Sequence, residues 1–182
     1  DCEANTHDWV YTYIIDDTTP PTGTALADIS GLQCIGEVPA ADINLIVDEE
    51  DNCGGPVVVT VNDVDNGGSG CPDSPYIVTR TYTLADCSGL TTDLVQTITV
   101  IDNTPPTISC PDNINVINDV NLCGATVSVP APISSDGCGF VTLVNSYNQT
   151  ADASDFYPIG TTVVTWTATD ACGNTNGCIQ TI

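Results

Sequence analysis

The chain has 182 residues, with 24 acidic side chains against one arginine, Arg80, and no lysine, so its formal net charge at pH 7 is −23. This charge argues against nucleic acids and membrane insertion, because almost nothing in the chain can neutralise a phosphate group. A Ser-His-Asp or Cys-His arrangement is disfavoured, because the one histidine, His7, falls in a predicted strand fragment, and a lysine nucleophile is impossible without lysine. We therefore predict a protein that is not an enzyme.

Hydrophobic residues make up 41% of the chain, and Val, Ile and Thr are frequent, which favours ordered β-structure beneath an acidic surface. Ten cysteines are scattered without a C-x2-C pair, so disulfide bonds formed in an oxidising compartment are predicted rather than zinc sites. No segment is long and apolar enough to cross a bilayer, and no signal peptide opens the chain. We expect an extracellular, cell-surface protein that was exported and processed, or an interior fragment of one.

The chain contains an internal repeat. Residues 17–22, Asp-Thr-Thr-Pro-Pro-Thr, return 85 positions later as Asp-Asn-Thr-Pro-Pro-Thr at 102–107. From this register, residues 1–16 are predicted to be the terminal strand of a preceding module. Residues 17–101 form a complete module, here called the first repeat, and residues 102–182 form the second repeat, whose last strand is incomplete. Such a window predicts further modules on both sides.

Short strands separated by turn-rich loops are predicted in both repeats, and no ten-residue segment has helical periodicity with caps. Val164, Trp166 and Ala168 alternate with threonines, which indicates a strand with one buried face and one solvated face. The pattern predicts an all-β fold of tandem, immunoglobulin-like antiparallel β-sandwiches. The predicted strands are 41–47, 56–62, 76–84 and 92–101 in the first repeat, and 114–118, 125–129, 140–146, 161–169 and 178–182 in the second.

The second repeat carries a family signature. Its segments 102–111 (DNTPPTISCP), 123–125 (CGA), 157–162 (YPIGTT) and 165–174 (TWTATDACGN) resemble the hyalin repeat, or HYR domain. The resemblance implies an immunoglobulin-like fold and an extracellular adhesive or spacing role, and it supplies no catalytic residues.

The first repeat is more divergent, because it lacks the cysteine after Pro-Pro-Thr and the Pro-x-Gly-Thr-Thr turn. Its segments 34–43 (CIGEVPAADI) and 78–82 (VTRTY) are similar to repeats of giant Bacteroidota surface proteins. Those proteins include gliding adhesins exported by the type IX system, so the resemblance implies a role in cell adhesion and gliding motility.

Disulfide pairs are predicted from the poles of an immunoglobulin-like sandwich, where loops at one end lie close together. Each bond is expected to contribute ~2–4 kcal/mol, mainly by restricting the unfolded chain. Cys2 is expected to bond within the preceding module, and Cys123 has no predicted partner. The predicted pairs are Cys53–Cys87, Cys138–Cys172, Cys34–Cys71 and Cys110–Cys178.

Acidic residues cluster where each repeat begins. Carboxylate oxygens in loops suit Ca²⁺, which would stiffen the joints between modules, while solvated acidic turns are an equally good explanation. The predicted ligands are Asp16, Asp17, Asp48, Asp51 and Asp86 at the first junction, and Asp102, Asp136 and Asp170 at the second.

Arg80 has the register of Val164 and lies on the same strand face as Tyr82, which predicts partial burial. We interpret it as one partner of a structural ion pair rather than as a binding residue.

Three functions agree with these observations. The favoured one is a structural segment of an extracellular stalk or filament, whose partners are neighbouring modules of the same polypeptide or filament. The second is an adhesive module that binds surface glycans or a protein, which aromatics exposed at one pole would favour; Trp9, Tyr11, Tyr76 and Tyr147 are the candidates. The third is an accessory domain of a secreted enzyme.

Overall fold

The computed structural model describes residues 9–182; Cys2 and the start of the predicted strand material at 1–16 lie outside the described residues. The described chain is built from strands and two short 3₁₀ turns, η1 and η2, which confirms the predicted all-β fold. The elements are β1 Ile29–Leu32, η1 Ile35–Glu37, η2 Ile43–Leu45, β2 Val58–Asp65, β3 Tyr76–Ala85, β4 Thr91–Val100, β5 Thr107–Ser109, β6 Gly124–Val127, β7 Ile133–Ser135, β8 Thr142–Asn145, β9 Asp155–Pro158, β10 Val163–Thr169 and β11 Thr175–Thr181.

A four-stranded sheet with the order β1-β4-β3-β2 forms the first repeat. Alternate residues of β3 and β4 are buried, as expected for strands with one face on a core. Tyr82 and Leu84 of β3 pack with Leu94 of β4 and with Ile46 in one buried cluster. The short strand β1 runs parallel to β4, with Ile29 opposite Ile98.

The second repeat has a three-stranded sheet, β11-β10-β8, and two strand pairs, β5-β7 and β6-β9. Val164 and Trp166 of β10 pack against Ala125 and Val127 of β6 and Tyr157 of β9, and this contact forms the core of a sandwich. The indole nitrogen of Trp166 donates to Gln180 Oε1 at 3.2 Å, so its polar atom is satisfied although the ring is fully buried.

Two strand predictions are wrong. Residues 41–47 contain the 3₁₀ turn η2 instead of a strand, because the Asp42 carboxylate accepts the Asn44 amide at 3.0 Å and caps the turn. Residues 114–118 form no strand, although the Ile114 amide still donates to the Thr181 carbonyl at 2.9 Å. No strand of the described chain pairs with residues 9–16, so their assignment to a preceding module stays a prediction.

The described chain groups into two compact units that do not coincide with the two repeats. One contains the chain up to Leu26, together with Ala41–Asn62 and Arg80–Gln96. The other contains Ala27–Ala40, Asp63–Thr79 and Thr97–Ile182. It therefore includes the loops of the first repeat that carry Cys34 and Cys71, together with all of the second repeat. Across the described residues, we find no helix with the length and apolarity needed to span a bilayer.

Candidate functional site

Two disulfide bonds join the first repeat to the second. Cys34 is bonded to Cys138, with 5.0 Å between Cα atoms, and Cys71 is bonded to Cys172, with 5.1 Å between Cα atoms. The bonded partners are 104 and 101 residues apart in the sequence. The joint between the repeats is therefore covalent at two points.

The predicted Cys34–Cys71 and Cys138–Cys172 pairs are wrong. The loops that carry Cys34 and Cys71 lie at the trailing end of the first repeat, meaning the pole where the chain leaves it, and they meet the start of the second repeat. The Asp102 amide donates to the Gly70 carbonyl at 2.7 Å. Because each trailing cysteine faces a loop of the next repeat, it bonds across the joint instead of within its own module.

Cys110 and Cys178 form the predicted bond within the second repeat, with 5.7 Å between Cα atoms. Cys53, Cys87 and Cys123 are exposed and carry free thiols among the cysteines that the structure describes, so the predicted Cys53–Cys87 bond is absent. Cys53 and Cys87 nevertheless lie in neighbouring loops, since the Cys87 sulfur is 3.2 Å from the position that a Cβ on Gly55 would occupy.

The linker at the start of each repeat is held in the same way. The second proline of each Pro-Pro pair, Pro21 or Pro106, is fully buried. Its carbonyl accepts a side-chain hydrogen bond, from Thr92 in the first repeat at 2.5 Å and from Asn176 in the second at 3.0 Å. Thr92 and Asn176 are 84 residues apart and share one register. The start of each repeat is thus fixed to the body of its own module.

An acidic cluster lies at the leading end of the second repeat, meaning the pole where the chain enters it. One side-chain atom each of Asp102, Asp136 and Cys138 lies within 4.8 Å of the other two. Nearby polar groups are satisfied: Asp170 Oδ2 accepts from the Asn174 side-chain amide at 2.9 Å, and the same amide donates to the Asp102 carbonyl at 3.2 Å. Asn174 thus gives a hydrogen-bond partner to the buried carboxylate of Asp170 and to the backbone carbonyl of Asp102.

The corresponding cluster in the first repeat comprises Asp17, Asp51 and Cys53, again within 4.8 Å. Leu90 has the register of Asn174, so the bridging amide is missing. Asp86 is only 9% exposed, and its Oδ2 has no hydrogen-bond partner among the described residues. Asp17 Oδ2, Asp51 Oδ1 and Glu49 Oε2 are buried and unpartnered in the same way. Buried carboxylate oxygens without partners are unfavourable unless a cation neutralises them.

Asp86 remains ionised at neutral pH. Desolvation opposes ionisation, but hydrogen bonds from Ser88, Leu90 and Gly89 hold the pKa of this carboxyl below its ordinary value. Its unpartnered oxygen therefore carries negative charge.

The other predicted calcium ligands lie in different surroundings. Asp16 is exposed, and Asp48 accepts the Thr24 amide at 3.1 Å. Hydrogen bonds from Thr24 lower the pKa of Asp48. Of the predicted set at the first junction, the structure places Asp17 and Asp51 in one cluster. Glu49, one of the four consecutive acids at 48–51 that the sequence places at this junction, also has a buried oxygen without a partner among the described residues.

Cys53 is the unusual thiol of this cluster. Its hydrogen bond to the Asp17 carboxylate, together with desolvation and the charges of Asp17 and Asp51, raises the pKa of Cys53 to about 11. At pH 8 only about one molecule in a thousand would then carry the thiolate at this position.

We expect iodoacetamide to alkylate Cys53 slowly at pH 8 and faster with each pH unit up to about 11, because the thiolate is the reactive form. Replacing Asp17 by Asn should accelerate the reaction at pH 8 by at least tenfold, since one unit of pKa changes the thiolate fraction by about tenfold. Peptide mass spectrometry measures the rate at this cysteine, and Asp112→Asn, which removes an exposed carboxylate outside the cluster, is the matched control. Equal rates in wild type and Asp17→Asn would contradict the role given to Asp17.

Arg80 lies in β3 and is 3% exposed, so its burial exceeds the partial burial expected from the sequence. The ion pair proposed for it stays a prediction. Among the aromatic candidates for ligand binding, Trp9 and Tyr11 are exposed. Tyr147 is half-buried and stacks on Tyr157, with 4.3 Å between ring centroids.

Comparisons with known proteins agree with the hyalin resemblance. The family described as HYR domain matches residues 101–182. Hyalin of Strongylocentrotus purpuratus is 31% identical over 172 residues, which is 91% of this chain and 14% of that protein. Hyalin of Lytechinus variegatus is 34% identical over 105 residues, which is 56% of this chain and 19% of that protein. The chain thus spans less than a fifth of the relatives that it matches.

A crystal structure of Drosophila N-cadherin EC1-4 is similar at a TM-score of 0.38, with 10% identity over 90% of this chain and 49% of that one. This likeness is too low to support a functional argument. The 172-residue match to hyalin must extend well beyond residues 101–182, so both repeats share it. Residues 101–182 are therefore similar to the HYR domain, and the remainder of the chain shares the similarity to hyalin.

Proposed function

We propose that this segment is part of an extracellular stalk or filament that acts through length and stiffness, without catalytic turnover. The observation that carries the proposal is the pair of disulfides, Cys34–Cys138 and Cys71–Cys172, which join consecutive repeats. Two covalent links side by side restrict rotation at a joint far more than one link does. A joint of this kind suits a structural element better than it suits a freely moving binding module.

The linkers support the same proposal. Pro20-Pro21 and Pro105-Pro106 fix the backbone φ angle and bias the residue before each proline towards extended geometry. Burial of Pro21 and Pro106 leaves little slack between modules. The strong acidity would keep neighbouring stalks apart through charge repulsion.

Electron microscopy of the native protein tests the function. We expect thin, extended, beaded particles on or shed from cells, with a narrow distribution of angles between beads. Treatment with a reductant should broaden that distribution. Compact particles, or modules that swivel freely before reduction, would contradict the stalk and favour a glycan-binding adhesive module.

The extracellular, adhesion-type setting is supported by the hyalin similarity and by the three disulfides. A Bacteroidota source with gliding motility is suggested only by the resemblance of the first repeat and remains a proposal. So does an accessory role beside a secreted enzyme.

We also propose that Ca²⁺ binds at the leading end of the first repeat. Asp17 and Asp51 offer hard oxygen ligands within 4.8 Å of each other, and each has a buried oxygen without a hydrogen-bond partner among the described residues. Glu49 and Asp86 hold further unpartnered oxygens. In the second repeat, Asn174 satisfies the corresponding aspartate, so the first junction is the better candidate.

Calcium is expected to raise the melting temperature of the chain, and EDTA is expected to reverse the rise. Binding to the folded state alone stabilises it by about 2.7 kcal/mol when calcium is at 100 times its Kd. Asp17→Asn combined with Asp51→Asn should abolish the response. Leu90→Asn, which introduces the amide found at Asn174, should weaken it, and Asp112→Asn should leave it unchanged. Differential scanning calorimetry measures all four proteins, and a wild-type melting temperature that does not change with calcium would leave only solvated acidic turns.

A further inference from the structure

We infer that Cys53 and Cys87 are bonding positions for a preceding module of the same kind, through cysteines placed there as Cys34 and Cys71 are placed in the first repeat. The leading end of the first repeat is then a docking surface for the trailing end of another module. This inference adds a second joint to the proposed stalk. The disulfide bonds themselves do not depend on the stalk function, and only the mechanical role of the joint rests on it.

The first argument is the register of the two repeats. Cys53 and Cys138 share one register, 85 residues apart, whereas Cys87 stands one position before the register of Cys172, because Asp86 corresponds to Asp170 at a spacing of 84. In the second repeat both of these cysteines are bonded to the module before it, whereas in the first repeat both carry free thiols. The exposed Cys53 therefore occupies the position of Cys138 at the other joint, and the exposed Cys87 lies next to the position of Cys172.

The second argument is that the local structure around the free thiols matches that around the bonded ones. The Cys53 amide donates to the Asp51 carboxylate at 2.8 Å, and the Cys138 amide donates to the Asp136 carboxylate at 2.7 Å. The Asp170 carboxylate accepts the Cys172 amide at 2.8 Å, and the Asp86 carboxylate accepts the corresponding Ser88 amide at 2.8 Å, so Cys87 lies one residue earlier on the same kind of turn. Both sulfurs at the first junction are thus held on turns that correspond to those of a working joint.

The third argument comes from residues 9–16, which are independent of the cysteines. They precede Asp17 as residues 94–101, mostly within β4, precede Asp102. In β4 the alternate side chains are buried, whereas Trp9 is 80% exposed and Ile15 is 94% exposed. A row of large apolar side chains in this register requires a sheet of the same kind to cover it. The module that supplies this sheet would place its trailing loops beside Cys53 and Cys87.

Bond formation requires an oxidant of the disulfide class, such as oxidised glutathione or a thiol–disulfide oxidoreductase. The thiolate of the preceding module attacks the oxidant's disulfide, forming a mixed disulfide and releasing one oxidant thiol. The sulfur of Cys53, once deprotonated, then attacks the module's sulfur and releases the second oxidant thiol. Each new bond thus removes two protons and two electrons from two cysteines and reduces one disulfide to two thiols. The same sequence applies at Cys87.

The test is a lengthened chain in which residues 17–101 are repeated once between residues 16 and 17 of the full chain. Cys53→Ser and Cys87→Ser in the inserted copy alone remove competing thiols. After refolding with oxidised glutathione, peptide mapping without reduction should join Cys34 of the inserted copy to Cys53 of the original, and Cys71 of the inserted copy to Cys87. Cys53→Ser in the original copy should remove the first link and keep the second.

Two results would overturn the inference. One is a bond between Cys53 and Cys87 of the original copy, and the other is a folded protein in which all four sulfurs stay free.

A second measurement guards against poor folding of the longer chain. In the 182-residue chain, oxidised glutathione should leave separate mixed disulfides on Cys53 and Cys87, and an internal Cys53–Cys87 bond there would contradict us. If both links form but microscopy shows freely bending particles, the stalk function fails while the inference stands.

Discussion

Loss of both inter-repeat disulfides is expected to destabilise the chain far more than loss of either one. Each bond closes a loop of about 100 residues, for which restriction of the unfolded chain contributes about 4 to 5 kcal/mol. The loops 34–138 and 71–172 overlap over most of their length, so when one bond is removed the other still restricts the same part of the unfolded chain. C34S/C138S and C71S/C172S should therefore each cost less than about 2 kcal/mol, while the fourfold variant should cost about 4 kcal/mol or more.

Urea denaturation under oxidising conditions measures these differences. C123S is the matched control, because it replaces an exposed free cysteine and breaks no bond, and it should change the free energy of unfolding by less than about 0.5 kcal/mol. If the losses in free energy of unfolding of the two single-bond variants add up to the loss of the fourfold variant, each bond acts independently. That result would contradict the shared-loop explanation.

Truncation of Trp166 to Ala is expected to reduce the free energy of unfolding by about 3 to 5 kcal/mol, the usual range for a buried aromatic ring. Trp166 is fully buried among Val127, Tyr157 and Val164, and its removal leaves a cavity and an unpartnered Gln180 oxygen. Thermal unfolding followed by circular dichroism gives the difference.

Val163→Ala is the control for this core substitution. Val163 belongs to the same strand but is 56% exposed on the opposite face, so the change should stay within about 0.5 kcal/mol. Equal losses in the two variants would mean that β10 does not have the buried and solvated faces described above.

Strands were predictable where large apolar residues alternate with polar ones over several positions. The pattern around Trp166 gave β10 at 163–169 within two residues, because a half-buried strand must repeat every second residue. β1 escaped prediction because its four residues, Ile-Ser-Gly-Leu, carry too little periodicity to distinguish a strand from a loop. The segment 41–47 misled because its apolar residues suit a strand, while a single carboxylate, Asp42, bends it into a turn.

The candidate site was predictable in its residues but not in its connections. Sequence placed Cys34 with Cys71 at one pole and Cys138 with Cys172 at another, and it placed acids at the start of each repeat. It could not show that the two poles meet, since that depends on packing between modules rather than on the pattern within one. The difference between Leu90 and Asn174 was visible in the aligned repeats, but its importance depends on the buried oxygens that only the structure reveals.

The bond between Cys34 and Cys138 also decides how the chain transmits a pulling force. Tension that enters at the start of the first repeat passes along the backbone to Cys34 and crosses the bond directly to Cys138. The 104-residue span between them is bypassed and cannot be straightened while the bond is intact. At about 3.3 to 3.6 Å per extended residue, this keeps roughly 350 Å of chain in reserve. A reductant that cleaves both inter-repeat disulfides would make this reserve of chain length available. The redox state of the two bonds therefore sets how far each joint can stretch before the chain breaks.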